Sequence, residues 1–140
     1  MKFELATPSR LLVSTDVDEV VAPGVEGYFG VLPGHAPLLT TLGSGEVTYR
    51  TGRSEQYLLV AGGFAEVQPD RVIILAEVAE SPEEIDRARA ERARQRAELR
   101  LSGRHPQGNE DEGEIDFNRA LAALARALAR SMVAGRGRAA

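Results

Sequence analysis

The chain has no cysteine, no tryptophan and just two histidines in 140 residues. Without thiols there is no disulfide scaffold, thiolate metal site or cysteine nucleophile, and His35 and His105 alone cannot build a His-rich metal centre. No stretch approaches the roughly 18 uninterrupted apolar residues of a membrane span, and Met1 to Arg10 lack the basic start and apolar core of a signal peptide. A soluble, cytoplasmic chain in a reducing compartment is expected. Net charge is -4 and the pI is near 5.3. Nucleic-acid binding, which draws its affinity from basic patches that displace counterions, is therefore not expected. Catalytic signatures are missing too: no phosphate loop ending in Gly-Lys-Ser/Thr, no His-Glu-x-x-His, no Gly-x-Ser-x-Gly. The chain is read as non-enzymatic.

What is present falls into two regimes. Residues 1 to 80 carry 5 basic and 11 acidic side chains, residues 81 to 140 carry 12 and 10, so the net charges are -6 and +2. Val, Ile and Thr crowd the first part together with six of the seven aromatics, whereas Ala rises from 7 to 13 in the second. Short apolar or alternating runs punctuated by Gly, Pro and Asp, such as Phe3 to Ala6, Leu11 to Val13, Gln56 to Val60, Phe64 to Val67 and Val72 to Ala76, predict many short strands in a sandwich or barrel. Glu46 to Arg50 and Gln56 to Val60 read as a hairpin whose turn uses a positive φ at Gly52. The β domain is placed at residues 1–79.

The remainder, 80–140, reads as a helical hairpin with helices at about 82–101 and 116–134 and a linker at 102–115. Ser81, Pro82 and Glu84 supply a cap, a first-turn proline and a capping acid. Ala90, Ala93, Ala97 and Leu101 form a narrow seam on the first helix. On the second, Asp116 is the expected cap, Phe117, Leu121, Leu124, Leu128 and Met132 the apolar stripe, and Gly135 the stop. So thin a hairpin buries little, so docked and open arrangements lie within a few kcal/mol of each other.

Several features admit two readings. Gly24, Gly27, Gly30 and Gly34 lack the strand-then-helix context of a phosphate cradle and read as turn glycines. His35, in Pro33-Gly34-His35-Ala36-Pro37, is either bonded to its own loop or a partner contact. Asp86 and Arg89 face each other or one ligand. Arg119, Arg126 and Arg130 lie roughly opposite the leucine stripe, as a solvated face or as a site for an anion or acidic partner.

The phrases Val21-Ala22-Pro23-Gly24-Val25-Glu26-Gly27, Phe29-Gly30-Val31-Leu32-Pro33-Gly34-His35-Ala36-Pro37-Leu38-Leu39-Thr40, Val60-Ala61-Gly62-Gly63-Phe64-Ala65-Glu66-Val67 and Asp70-Arg71-Val72 resemble, in order and spacing, the epsilon subunits of bacterial F-type ATP synthases. The resemblance implies an α+β fold, a flattened antiparallel β-sandwich followed by a two-helix hairpin, in a non-catalytic central-stalk subunit. It implies that the sandwich binds the gamma subunit and the membrane c-ring, with Tyr28 and His35 at the ring contact; the family commonly has an acidic residue where this chain has Tyr28. It implies location at the cytoplasmic face of the bacterial membrane without insertion. It also implies a mobile hairpin that inhibits ATP hydrolysis when extended along gamma toward the alpha and beta subunits.

Some bacterial members carry an Ile/Leu-Asp-x-x-Arg-Ala motif that binds ATP in the folded state, and Ile85, Asp86, Arg89 and Ala90 fit it. By position, Glu80, Arg126 and Arg130 join that set. Asp86 would accept from the adenine amino group while the arginines neutralise phosphate, making ATP a regulatory ligand and leaving no cofactor requirement. The alternative is a free-standing nucleotide-sensing β-sandwich with a helical lid.

Overall fold

A computed structural model of the chain describes residues 1–103 and 117–136. Eight strands come first: β1 (Lys2–Ala6), β2 (Leu11–Asp16), β3 (Glu19–Gly24), β4 (Gly27–Val31), β5 (Leu38–Thr41), β6 (Ser44–Thr51), β7 (Ser54–Gln68) and β8 (Arg71–Glu80). They pair in the order β2-β1-β8-β7-β6-β3-β4, with β5 also on β7. One pairing corrects the antiparallel expectation: β1 runs parallel to β8, Lys2 opposite Arg71 through Ala6 opposite Leu75. These two strands are distant in sequence, so no hairpin turn dictates their relative direction.

The runs Gln56 to Val60 and Phe64 to Val67 are one strand of 15 residues. Its inward face changes midway: Leu58 and Val60 are buried before Gly62-Gly63, Ala65 and Val67 after it. Both glycines have positive φ, +73 and +113, which lets the strand bend without losing register. Thr41 pairs with Phe64 and Ser44 with Ala61, so β5 and β6 line one edge of the bent strand in sequence. The first half of β7 carries β6, β3 and β4 on one edge and the second half carries β5, while β8 runs along the other edge of both halves and leads on to β1 and β2. Between these layers sits the core, including Phe3, Leu5, Val20, Val31, Val47, Leu58, Val60, Val67, Val72 and Ile74. The β6–β7 turn uses Gly52 at φ +62, as the sequence predicts.

The first helix starts later than 82. Pro82–Glu84 form a single 3-10 turn, where Ser81 N and Oγ both donate to Glu84 Oε1 at 3.4 and 2.8 Å. Ile85 is then extended and its side chain is buried with Leu59, Ala129, Val133 and Ala134. That burial ends the turn, and Asp86 caps a new start by accepting from Arg89 N at 3.0 Å. Helix α1 is Arg87–Leu101 and α2 is Phe117–Arg136. Asp116 and residues 104–115 lie outside the described residues. The second helix passes through the expected stop at Gly135, because Arg136 is held by Glu46 and stacked on the Tyr57 ring, 4.7 Å from its centroid.

The orientation of α2 reverses the expected one. Of the five stripe residues Leu124 is half-buried and Phe117, Leu121, Leu128 and Met132 are exposed, Leu128 least at 47% and Leu121 most at 54%, while Ala120, Ala127, Ala129, Val133 and Ala134 are buried. On a helical wheel Ala120, Ala127 and Ala134 form one flank and Ala129 and Val133 another, with Arg126 and Arg130 between them, half-buried. Small side chains let α2 approach α1 and the sheet at once; a leucine on either flank would hold them apart.

Gly63→Ala is expected to cost on the order of 3 kcal/mol in urea unfolding, because the new Cβ would lie 2.1 Å from Leu75 O. Gly30→Ala, with open space and no positive φ, is expected to stay within about 0.5 kcal/mol. For the hairpin, Val133→Ala should weaken docking by about 2 kcal/mol and Leu128→Ser should leave it unchanged, read by hydrogen exchange of the α2 amides.

Candidate functional site

A groove of about 310 Å³ opens between α1, α2 and the end of β8, lined by Glu80, Glu84, Asp86, Arg89, Ala90, Ala93, Arg96 and Arg130. Helical spacing explains how α1 furnishes one wall: Arg89, Ala93 and Arg96 follow in steps of 4 and 3 and share a face. Ala90 is buried beside them, and its methyl leaves room for α2. From α2 comes Arg130, whose Nη2 donates to Glu80 Oε1 at 3.3 Å. Glu84 is held below the usual carboxylate range by its bond from Arg10, at 2.6 Å, and then by Ser81. Among the described residues, neither the Arg89 nor the Arg96 guanidinium makes an ion pair. Two cations in a concave wall, with a third that can leave its partner, suit an anion such as phosphate.

Of the residues singled out in the sequence, Glu80, Asp86, Arg89, Ala90 and Arg130 meet in this groove. Ile85 does not; it fills the sheet–helix core. Arg126 lies one turn before Arg130, half-buried and outside the groove lining. Asp86 has a structural duty as the cap of α1 alongside any ligand contact. Arg96 was missed, although its step of seven from Arg89 was the available signal.

Tyr28 and His35 occupy different places. The Tyr28 hydroxyl accepts from Glu46 N at 3.1 Å, and the residue is 58% exposed. His35 lies in the loop after β4, its Nδ1 2.6 Å from Ala36 O, and the loop is pinned by Gly34 N donating to Pro69 O at 2.7 Å. Glu46 pairs with Leu59 and Pro69 follows the end of β7, so the second half of that strand separates the two anchor points.

A larger cleft of about 510 Å³ lies between β2 and the β6–β7 hairpin. Its two arginines, Arg10 and Arg136, are committed to Glu84 at 2.6 Å and Glu46 at 3.2 Å. The outer face of the β5-β7-β8-β1-β2 layer carries an uncovered apolar row among polar neighbours: Leu11, Leu75 and Phe64 fall on one cross-strand row, with Leu39 two positions along, and each is more than half exposed. Such a row suits contact with a protein partner. Sequence alternation could not reveal it, because Phe64 and Leu75 look like core until the register is known.

Residues 1–82 match the beta-sandwich domain and residues 83–135 the long alpha-helix domain of the ATP synthase delta/epsilon chain. The chain is 49% identical to ATP synthase epsilon chain 2 of Syntrophotalea carbinolica over 98% of its length and 95% of the relative's. It is 48% identical to the ATP synthase epsilon chain of Moorella thermoacetica, covering 96% of each. In fold it is similar to a chain of the Euglena gracilis mitochondrial ATP synthase, solved by cryo-EM with OSCP, F1 and the c-ring (TM-score 0.76, 23% identity, 96% of this chain and 79% of that one). With its sandwich and both helices matched at this level, the chain belongs to the ATP synthase delta/epsilon family, as an epsilon chain of the central stalk and not the catalytic subunit.

Proposed function

We propose that this chain couples rotation of the c-ring to ATP synthesis and restrains ATP hydrolysis through its hairpin, with ATP in the α1–α2 groove favouring the docked state. The observation that carries it is the orientation of α2. One rotation about the helix axis leaves the leucine stripe uncovered for a second binding mode and aims Arg130 into the groove. In the docked state the helix is held by alanines, Val133 and a few ion pairs, so leaving it costs little. In the extended state the stripe Phe117, Leu121, Leu128 and Met132 would lie along gamma, toward the alpha and beta subunits.

A ligand that binds both helices stabilises only the arrangement in which they are together. Arg89, Arg96 and Arg130 would hold the phosphates, and Asp86 and Glu80 line the same groove beside them. The uncovered apolar face with Leu39, Phe64 and Leu75 is the proposed seat of gamma. A free-standing sensor whose sandwich is mere scaffold would have no use for it. Tyr28 and His35 are the proposed ring contacts, at separate places on the rim. No described helix is long and apolar enough to cross a membrane; the proposed location is peripheral, at the cytoplasmic face, held there through the stalk and ring.

The test of the regulatory part is a calorimetric titration of the isolated chain with MgATP, read alongside small-angle scattering. Saturable binding with compaction is expected, and Arg89→Ala or Arg96→Ala should each weaken it about tenfold or more. No binding at millimolar ATP would leave the stalk role and remove the gate. In a reconstituted complex, truncation after Glu80 is expected to preserve assembly and raise ATP hydrolysis severalfold; unchanged hydrolysis would rule out inhibition by the hairpin.

A further inference from the structure

Across β8, β7 and β6, one cross-strand row reads Glu80, Leu59, Glu46: Leu59 is opposite Glu80 on one side and opposite Glu46 on the other. Leu59 is wholly buried, yet not in the sandwich interior; it packs with Ile85, Ala129, Val133 and Ala134 under α2. The helix matches the row residue by residue. Arg130 bonds Glu80, Val133 packs in the Leu59 cluster, and Arg136 bonds Glu46, Nε to Oε2 at 3.2 Å and Nη2 to Oε1 at 3.3 Å. Two inter-strand spacings amount to about 9.6 Å and six helical residues rise about 9 Å, so an Arg-x-x-Val-x-x-Arg segment laid across the strands meets the row in register.

The two ends of this seat differ. Glu80 and Arg130 line the groove, so a phosphate there competes with Glu80 for the guanidinium. Glu46 and Arg136 lie outside it. Glu46 is the one buried charged residue among the described residues, 7% exposed. Thr48 Oγ1 donates to it at 3.5 Å, Tyr28 fixes its backbone N–H, and the Tyr57 ring backs Arg136.

The geometry points to the Glu80–Leu59–Glu46 row as the receptor for α2, with Glu46–Arg136 as a nucleotide-independent latch that keeps the helix seated when Arg130 turns from Glu80 toward ligand. This rests on the two-state hairpin proposed above and names what holds one of its states. The latch works through desolvation. Docked, Glu46 is covered and needs a cation; undocked, water reaches it and the need disappears. Loss of Arg136 therefore penalises the docked state alone, and neutralising Glu46 should remove much of that penalty.

The native chain has no cysteine, so spin labels on Arg53→Cys and Ala125→Cys, both exposed positions, report the docked distance by pulsed EPR without competing thiols. Arg136→Ala is expected to raise the undocked-to-docked ratio about tenfold, with and without MgATP. Adding Glu46→Gln should recover most of the docked fraction, a non-additivity that simple loss of packing does not produce. Val133→Asp, which buries a charge in the helix–sheet core, serves as a control. If it undocks the helix while Arg136→Ala does not, or if the double variant is merely additive, the latch is wrong and the two-state hairpin stands. If neither substitution undocks the helix, both are wrong.

Discussion

The molecule depends on the point where β7 changes its inward face. Gly62 and Gly63 both adopt positive φ, and a side chain at Gly63 would run into the Leu75 carbonyl. Through this bend one strand serves two layers, and the core closes between them. The same strand presents Leu58 and Val60 inward and Leu59 outward, so three consecutive apolar residues are all buried, in two different places. The outward one is the apolar centre of the seat for α2. The architecture of the sandwich and the docking of the hairpin thus share one strand.

That docking is built to be modest. Burying a Val or Leu side chain is worth about 1.5–3 kcal/mol, and among the residues of α2 that are buried only Val133 is larger than Ala. Phe117, Leu121, Leu128 and Met132 stay in solvent in this state. A helix meant to remain docked would turn its leucines inward; this one turns alanines inward, gains close approach, and leaves its strongest apolar surface available. Arg130, between the two buried flanks, and Arg136, at the end of the helix, pair with carboxylates of the sheet. The sandwich, acidic overall, and the hairpin helices, rich in arginine, therefore attract each other, but through a few half-exposed pairs whose individual contributions are small. Glu46 is the exception, being covered, and its environment makes the pairing matter.

These features fit the regulatory role proposed for the hairpin. A stalk subunit must hold its partners through a stable body while one part changes position, and stability here is unevenly distributed in that sense. The sandwich has a continuous two-layer core, the hairpin a five-residue cluster that joins it to the sheet. A groove whose walls belong to both helices gives a ligand leverage on their association. The uncovered row of Leu11, Leu75 and Phe64 sits on the layer away from the hairpin, so a partner can hold the sandwich without obstructing the helices.

The class of each half was legible in the chain: β-branched residues and turn signals for the strands, alanine with a capping sequence for the helices, Gly52 for its turn. Glu80, Asp86, Arg89, Ala90 and Arg130 were drawn together by the resemblance to a family motif and not by spacing, and the fold brings them to the wall of one groove. Other properties depended on what lies opposite a residue. Ile85 left the groove because Leu59 offered a drier contact, and this delayed the start of α1 to Arg87. The leucine stripe faced outward because alanine permits two close interfaces at once, a choice that hydrophobic periodicity cannot express. The parallel β1–β8 pair and the Glu80–Leu59–Glu46 row arise from register between strands far apart in the chain. Local pattern determines what a segment becomes and which of its faces are apolar; only the tertiary contacts decided which apolar face is covered and which is left for a partner.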